Sequence, residues 1–239
     1  MTLLSAARYI RRVIKALLGL DHLIAPDVRI PKTKLGTEYG GWVIADRLLR
    51  NKKNAIVYSV GLGRDISFDL ALIENFNCFV YGFDPTPRSL TWLAEQHLPS
   101  CMQVLALGIA SYDGEASFAP PDNPQWDSFS TISSSDRSIS CSVLTFRSMM
   151  KRLGHGSVDV LKMDVEGSEY EVIEEVLKGD FFPNQFLIEF HHGLHGIRVQ
   201  KTRDSIELLR RSGYRLFDVS LSGREMSFVH CDAIARAKL

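Results

Sequence analysis

Four short apolar runs of this chain each give way to a cluster of polar residues. The runs have the length and composition of buried strands and lie at residues 57–60, 78–83, 158–163 and 186–188. The polar clusters stand where those strands end, at residues 59–65, Asp84, residues 164–167 and residues 189–192. An open parallel sheet binds its ligand beyond the carboxyl ends of its strands. The spacing therefore predicts an α/β protein with a ligand site at that edge.

Composition narrows the class of protein. A chain of 239 residues, 45% of them hydrophobic, suits one α/β domain with a full core. Lys and Arg together number 28, as do Asp and Glu, so the net charge gives no reason to expect a nucleic-acid partner. The cysteines form no Cys-x-x-Cys pair, which argues against a zinc site or a disulfide framework and favours the cytoplasm. No apolar stretch approaches the ~20 residues of a membrane-spanning helix.

The first twenty residues predict a basic amphipathic helix over residues 3–18. Arg8, Arg11, Arg12 and Lys15 fall on one stripe at about 100° per residue, and no acid accompanies them. The other side is apolar and is formed by Leu3, Ala7, Ile10, Ile14, Leu17 and Leu18. The arginines interrupt what would be the apolar region of a secretory signal. Two interpretations stay open: a helix packed on its own domain or on a second copy, and a helix at an anionic membrane surface.

A segment with two adjacent glycines precedes the first predicted strand. Gly40 and Gly41 stand between Tyr39 and Trp42, which indicates a backbone that approaches another part of the molecule closely. Residues 43–49 then predict a short helix.

The turn after the first strand has the features of a nucleoside site. Gly61 and Gly63 lie between this strand and a helix whose apolar residues include Ile66, Leu70 and Ile73. Asp84 follows Gly63 by 21 residues, at the end of the next strand, where a carboxylate accepts hydrogen bonds from both ribose hydroxyls of a cofactor. The glycines and the acid together predict a nucleoside-binding site.

Two cofactor classes use such a site. Dinucleotide-binding enzymes usually carry a third glycine, and Ile66 stands in its place here. S-adenosylmethionine has no pyrophosphate to hold, so two glycines suffice. Strand-like runs at residues 214–220 and 226–230 flank Ser222-Gly223 and predict a hairpin. A mostly parallel sheet that ends in an antiparallel hairpin strand is typical of class I methyltransferases.

Residues 161–170 resemble a family hallmark. They read Leu-Lys-Met-Asp-Val-Glu-Gly-Ser-Glu-Tyr, similar to the Lys-x-Asp-hydrophobe-Glu-Gly-x-Glu string of FkbM-type methyltransferases. The resemblance runs from about residue 39 to 229. It implies a Rossmann-like, doubly wound sheet, S-adenosylmethionine as methyl donor, and transfer to a hydroxyl of a sugar or another small acceptor. With it we divide the chain into a helical N-terminal extension, residues 1–50, and a class I methyltransferase domain, residues 51–239.

We assign the cofactor site to the ends of the predicted strands. Many such enzymes carry an acid where Ser59 stands, so the contact with the methionine end of the cofactor falls to Asp65 or is lost. The predicted cofactor residues are Ser59, Gly61, Leu62, Gly63, Asp65, Asp84, Leu107, Gly108 and Asp164.

The predicted catalytic residues follow the fourth and fifth strands. Asp164 and Glu166 share one side of an extended strand end and point together into the crevice, and His191 suits the role of general base toward a hydroxyl. Glu169 and Glu171 are interpreted as a helix-start preference, because acids are favoured in the first turn. A divalent cation on Asp164, Glu166, Glu189 and His191 is conceivable, but no metal is predicted.

Residues 120–142 form a polar, serine-rich stretch that predicts a loop, either a flexible surface loop or a lid in which Trp126 stacks on a ring. The acceptor cannot be identified from the sequence. An NAD-dependent oxidoreductase and a non-catalytic cofactor-binding protein attached to a membrane or a partner are the alternative functions.

Overall fold

The computed structural model describes residues 3–50, 52–120, 129–131 and 136–238, with side chains from residue 9 onward. A seven-stranded sheet forms its centre. In spatial order its strands are β11 (Tyr214–Val219), β12 (Glu225–His230), β10 (Gln185–Glu189), β9 (Val160–Met163), β3 (Ile56–Val60), β4 (Phe79–Phe83) and β5 (Met102–Leu105). The strands from β10 to β5 are parallel, and β12 is antiparallel to both neighbours. This is the predicted doubly wound sheet with its antiparallel hairpin strand.

Two smaller sheets flank the central one. β1 (Thr33–Leu35) pairs with β2 (Trp42–Ile44), and β8 (Ile139–Leu144) lies between β6 (Gly108–Ile109) and β7 (Gly114–Phe118). The helices are α1 (Leu3–Leu17), α2 (Arg47–Arg50), α3 (Ser67–Phe76), α4 (Pro87–Ala94), α5 (Phe146–Leu153), α6 (Glu169–Lys178), α7 (Val199–Arg211) and α8 (Cys231–Ala237). None of these helices is long and apolar enough to cross a membrane.

Alternation along the buried strands builds a core on each face of the central sheet. Val57 packs with α3 and α4, whereas its neighbour Tyr58 packs with α5, α6 and α7, because successive strand residues face opposite sides. Both side chains are fully buried. The sheet is therefore covered on both faces, which leaves its strand ends as the open edge.

Two secondary-structure predictions are wrong. The helix predicted over residues 43–49 is the strand β2 followed by the short helix α2, because Trp42 and Ile44 are buried beside Val57 and the amide of Ala45 donates to Oε1 of Gln185. Part of the segment that we interpreted as a helical extension thus forms core. The serine-rich stretch predicted as loop up to residue 142 contains most of β8, which pairs with β7.

The turn after β3 fixes where the site can form. Chain order reverses between β3 and β9, and a crevice at such a switch point is where open α/β sheets bind ligands. Gly61 has φ of 75°, and a Cβ placed on it would lie 1.9 Å from the backbone oxygen of Asp164. Gly63 also has positive φ, 57°, but a Cβ there would meet no atom within 4 Å. Of these two glycines, only Gly61 is required by close packing.

These two glycines give a matched pair of substitutions. Gly63→Ala should lower the free energy of unfolding by about 1–2 kcal/mol, the cost of a left-handed alanine. Gly61→Ala should cost more than twice as much, because it adds a clash with Asp164 to the same strain. Denaturant titration of both variants measures the difference, and equal costs would show that the approach to Asp164 does not constrain the turn.

Candidate functional site

A crevice of about 1380 Å³ opens at the carboxyl edge of the sheet. It exceeds the roughly 300–1,000 Å³ of common small-molecule sites, so it has room for a cofactor and an acceptor together. Of the predicted site residues, those that line it are Gly61, Leu62, Gly63, Asp65, Asp84, Gly108, Asp164, Glu166 and His191. Ser59 and Leu107 do not line it, because both are buried within the domain.

Asp84 joins the glycine turn to the end of β4. Its Oδ2 accepts the amide of Gly63 at 3.0 Å, and its Oδ1 accepts the amide and the hydroxyl of Thr86 at 2.9 and 2.6 Å. Thr86 is the N-cap of α4 and Pro87 its first residue, as the sequence predicts. A carboxylate oxygen can accept two hydrogen bonds, so Oδ2 keeps capacity for a ligand hydroxyl.

Asp65 is occupied by the chain itself. Its Oδ1 accepts the amide of Ser67 at the start of α3, and its Oδ2 accepts the hydroxyl of Thr37 at 2.6 Å. A Cβ on Gly40 would lie 2.6 Å from the carboxyl carbon of Asp65. The close approach predicted for the glycine pair is therefore confirmed, and its partner is the turn that holds Asp65.

An acid that the sequence analysis did not select lines the crevice beside the glycine turn. Asp69 lies on α3 and is 2% exposed, and its Oδ1 has no hydrogen-bond partner among the residues that the structure describes. Burial raises the pKa of Asp69 to about 6, although the positive charge of Lys162 and the Ser59 hydroxyl partly offset this. Asp69 thus stands next to the position where many family members carry their acid.

The buried side of α3 explains why Asp69 was missed. The side facing the core is Phe68, Leu72 and Phe76, spaced by four, whereas Leu70 of the predicted apolar pattern is exposed. A helical pattern that starts at Phe68 places Asp69 on the buried side of α3. The spacing of four between Phe68, Leu72 and Phe76 was therefore the signal in the sequence that could have identified Asp69.

Lys162, the first residue of the hallmark string, supports the glycine turn from below. Its ammonium donates to the backbone oxygens of Val60 and Gly61 and lies 5.8 Å from the ring centroid of Trp42. The side chain is buried and lines the inner end of the crevice. A positive charge and the carboxyl of Asp69 therefore lie at the same end of the site.

The predicted catalytic residues also meet at the crevice, beyond the ends of β9 and β10. Nε2 of His191 lies 3.6 Å from Oδ1 of Asp164, 3.4 Å from Oε2 of Glu166 and 3.8 Å from Oε1 of Glu189. The His191 side chain is only 4% exposed, whereas the three carboxylates are 21–32% exposed, from 21% for Glu166 to 32% for Asp164. Three acids thus surround one imidazole, and each of their side chains is partly exposed at the crevice. We call these four residues the acid–histidine cluster.

Glu169 holds this cluster in place. It is fully buried, and its Oε2 accepts the amide of Gly167 at 2.8 Å while its Oε1 accepts the amide of His191 at 2.7 Å. The same Oε1 lies 3.4 Å from Nδ1 of His191. Glu169 does lie in the first turn of α6, as the helix-start interpretation expects, but its carboxylate also joins the turn after β9 to His191. Glu171 does fit that interpretation, since it is exposed and its partner is Lys201 at 3.0 Å.

The backbone changes direction sharply at Glu166, between β9 and α6. Glu166 has φ of 49° and Gly167 φ of 109°, so two successive residues adopt left-handed backbone. A non-glycine residue in this region costs of order 1 kcal/mol and persists where the surroundings demand it. The hydroxyl of Ser130 donates to the backbone oxygen of Glu166 at 2.9 Å. This contact joins the segment after β7 to the cluster, whereas the predicted lid residue Trp126 lies outside the described residues.

The charges of the cluster shift its pKa values. Burial alone would lower the pKa of His191, but the hydrogen bond and charge of Glu169, with the charges of Asp164 and Glu166, raise it to about 10. Burial and the charge of Asp164 raise the pKa of Glu189 to about 8. The base role predicted for His191 therefore requires that the ring first lose its proton.

His192 points away from the crevice, so only one of the paired histidines reaches the site, as the strand alternation predicts. Its Nε2 lies 3.2 Å from Oδ1 of Asp21, and its Nδ1 lies 3.2 Å from the hydroxyl of Thr202. His192 therefore connects the segment after α1 to α7.

Sequence comparison identifies a family. The model described as the methyltransferase FkbM domain matches residues 37–216. The human protein named probable methyltransferase-like protein 24 is 28% identical over 179 residues, which are 71% of this chain and 43% of that protein. Its rat counterpart is 28% identical over 175 residues, 69% of this chain and 43% of that protein. The chain therefore spans less than half the length of these curated relatives.

Solved structures with similar folds include two methyltransferase-related proteins. The methyltransferase FkbM from Methylobacillus flagellatus KT is 14% identical and covers 74% of this chain and 44% of its own, with a TM-score of 0.47. Fibrillarin from Aeropyrum pernix, described with natively bound S-adenosyl-L-methionine, is 13% identical and covers 86% of this chain and 85% of its own, with a TM-score of 0.41.

The family match includes every residue that lines the crevice except Arg224 and Glu225. It includes the glycine turn, Asp84, the string from Lys162 to Glu169, and His191. Of the two cofactor classes that the glycine turn allows, membership of this family selects the methyl donor. The chain belongs to the FkbM family of S-adenosylmethionine-dependent methyltransferases.

Proposed function

We propose that the chain transfers the methyl group of S-adenosylmethionine to a hydroxyl of a sugar, a glycan or another small natural product. The observation that carries this proposal is the acid–histidine cluster, which lines the same crevice as the glycine turn. A hydroxyl must lose its proton as its oxygen attacks a methyl group, so an acceptor of this class needs proton-accepting groups at the reacting end. The cluster supplies them.

The chain's own residues divide the reaction between them. S-adenosylmethionine supplies an electrophilic methyl group on a positively charged sulfur and leaves as S-adenosylhomocysteine. Within the cluster the carboxylate side chains are partly exposed, whereas the His191 side chain is almost fully buried. A carboxylate therefore takes the acceptor proton as the new carbon–oxygen bond forms. His191 and Glu169 hold those carboxylates at fixed positions, which lowers the entropic cost of the reacting geometry.

The cofactor's nucleoside end fits the turn that Asp84 organises. Asp84 accepts ribose hydroxyls through the remaining capacity of Oδ2, and the open space beside Gly63 lets the backbone approach the cofactor. Gly108 lines the same side of the crevice.

The methionine end fits Asp69 and Lys162. A zwitterionic amino acid group needs a negative and a positive partner, and both lie at the inner end of the crevice. Asp65 is a poorer partner for the ammonium, because its two oxygens already accept hydrogen bonds from Ser67 and Thr37. We therefore propose that Asp69 replaces the acid that many family members carry at the position of Ser59.

We propose a cytoplasmic location for the protein on the basis of its cysteines. All four cysteines are unpaired in the structure, which supports placing this activity in the reducing environment of the cytoplasm.

The Asp69 assignment predicts a pH-dependent cofactor affinity. The ammonium binds the ionised carboxyl, whose pKa in the free protein is about 6, so binding below that pH must first expel a proton. The dissociation constant of S-adenosylmethionine should therefore rise by about tenfold per pH unit below 6 and be level above 7. Calorimetric titration of the wild-type chain between pH 5 and 8 measures this.

Two variants separate the candidate acids. Asp69→Asn should bind more weakly above pH 7 and lose the pH dependence, whereas Asp65→Asn should retain it. An unchanged pH profile in Asp69→Asn would move the ammonium contact to another group.

The proposed reaction is tested by following labelled methyl groups. The chain is incubated with S-adenosylmethionine labelled in the methyl group and a panel of sugars, glycans and phenols, and products are identified by mass spectrometry. We expect a methyl ether whose formation is lost in Asp84→Ala, because that variant loses ribose hydrogen bonds worth about 1–3 kcal/mol. Asp113→Ala, outside the crevice, is the matched control. Cofactor binding without transfer to any hydroxyl would favour the non-catalytic alternative, and transfer to nitrogen would contradict O-methylation.

A further inference from the structure

We propose that Asp164, Glu166 and His191 bind a divalent cation of the Mg²⁺ or Mn²⁺ class at the acceptor end of the crevice. One ligand atom from each of these residues lies within 4.8 Å of the other two. The inference deepens the proposed function and rests on it, since the cation would lie where the acceptor hydroxyl reacts.

The distances within the cluster fit a shared ion better than direct hydrogen bonds. Nε2 of His191 lies 3.4 and 3.6 Å from the nearest oxygens of Glu166 and Asp164, longer than the ordinary range for a hydrogen bond. Ligands that share a cation at about 2.1–2.2 Å lie roughly 3.0–3.6 Å from each other in octahedral or tetrahedral geometry. Each carboxylate oxygen therefore stands at ligand-to-ligand spacing from Nε2 of His191.

The opposite side of the imidazole carries the second and independent observation. A histidine that binds a metal through one nitrogen generally gives its other N–H to a carboxylate or a carbonyl, which fixes the ring. Nδ1 of His191 lies 3.4 Å from Oε1 of the fully buried Glu169, an ion-pair distance without hydrogen-bond geometry, and the His191 side chain is only 4% exposed. Nε2 is thereby aimed at the carboxylates. Oδ1 of Asp164 is also buried and has no hydrogen-bond partner among the residues that the structure describes.

The donor set selects the class of cation. Two carboxylates and one imidazole, with room for water or an acceptor oxygen, suit a hard ion that prefers oxygen ligands and tolerates one nitrogen. A thiolate would favour softer metals, and no cysteine lines the crevice among the described residues. Mn²⁺ satisfies these preferences and is the probe of choice.

A cation here has a defined role in the proposed reaction. It binds the acceptor hydroxyl and lowers its pKa. The hydroxyl proton passes to the oxygen of Asp164 that does not bind the ion, since Asp164 is the most exposed of the three acids. The oxygen then forms its bond to the methyl carbon while the bond from carbon to sulfur breaks. His191 and Glu169 orient the ion and make no contact with the substrate.

Binding of Mn²⁺ to the chelator-treated chain tests the site without any assay of activity. Electron paramagnetic resonance of free Mn²⁺ during titration should show one bound ion per chain. Glu166→Gln, which keeps the side-chain shape, should weaken binding at least tenfold. Glu171→Gln removes the same charge from an exposed residue that pairs with Lys201, so it should stay within twofold of the wild type. Circular dichroism confirms that both variants are folded.

The following results would contradict either the cation site or the proposed function. No binding by the wild-type chain, or equal binding by the wild type and Glu166→Gln, would overturn the cation site. Calorimetric titration with S-adenosylmethionine in the absence of metal is run in parallel. Cofactor binding without Mn²⁺ binding would remove the cation and leave the proposed function, whereas loss of cofactor binding would remove the function itself.

A different observation carries a second proposal, because α1 is anchored to the domain through the buried Arg12. Arg12 is 7% exposed, and its guanidinium donates to the backbone oxygens of His22 at 3.2 Å and Ser220 at 3.4 Å. It also lies against Gly223, where a Cβ would meet the guanidinium. The glycine of the hairpin turn thus makes room for the arginine that anchors the helix.

The apolar side of α1 consequently faces outward. Leu17 is 82% exposed and Leu18 67%, and the stripe includes Ile10 and Ile14. Leu20 and Leu23 extend the same exposed apolar surface beyond the helix. Scattered apolar residues on a surface are common, but a continuous stripe on one helix marks an interaction surface.

We infer that this stripe inserts into the interface of an anionic membrane. Arg11 and Lys15 are exposed and border the stripe, and residues 1–20 contain no acid. Amphipathic helices with a basic border and a protruding apolar side bind anionic lipid surfaces in this way, with the apolar residues among the acyl chains. The charge favours such a surface over a second copy of the chain, whose own α1 would present the same positive border.

Vesicle flotation tests this surface. The full chain should float with vesicles of phosphatidylcholine and phosphatidylserine and much less with phosphatidylcholine alone. Leu17→Glu should abolish flotation, while Leu70→Glu, at a leucine exposed on α3, should leave it unchanged. Absence of flotation by the wild-type chain would overturn the proposal. A dimer in light scattering that Leu17→Glu converts to a monomer, without vesicle binding, would assign the stripe to a second copy.

Discussion

The buried carboxylate of Glu169 is the contact on which the candidate site depends. It accepts the amides of Gly167 and His191, so one side chain joins the end of β9 to the end of β10. A buried charge is costly unless it is fully hydrogen-bonded, and these partners satisfy it. Its nearness to Nδ1 then fixes the imidazole ring. Glu169 thus adds a side-chain link between two strand ends that the pairing of β9 with β10 already holds side by side.

The other residues of the hallmark string have equally distinct physical roles. Lys162 points back under the glycine turn and holds the carbonyls of Val60 and Gly61, while Asp164 and Glu166 point into the crevice. One short segment thus supports the glycine turn with a positive charge and places two acids at the crevice. The turn at Gly167 separates the two tasks from the start of α6. This division explains why the string is compact.

Several elements were predictable because their causes are local. The buried strands follow from apolar runs, and the hairpin of β11 and β12 follows from two runs around a turn at Gly223. The prediction of a helix over residues 43–49 was wrong, because Trp42 and Ile44 are held in β2 by packing against the distant strand β3. Asp69 was missed for a similar reason. Its importance comes from its position beside Ser59 and Lys162, which α3 and β9 bring together only in the folded domain.

The sequence by itself determined the fold class, the edge of the sheet that carries the site, and the acids and histidine that follow β9 and β10. Periodicity and turn chemistry act over a few residues, so a linear pattern reports them. Only the tertiary structure decided that Glu169 is an anchor, that Asp69 is buried at the crevice beside Lys162, and that α1 turns its apolar side outward. These features depend on which distant groups share a low-dielectric interior, where unpaired charges are costly and paired ones are fixed in place. A linear pattern does not contain those distances.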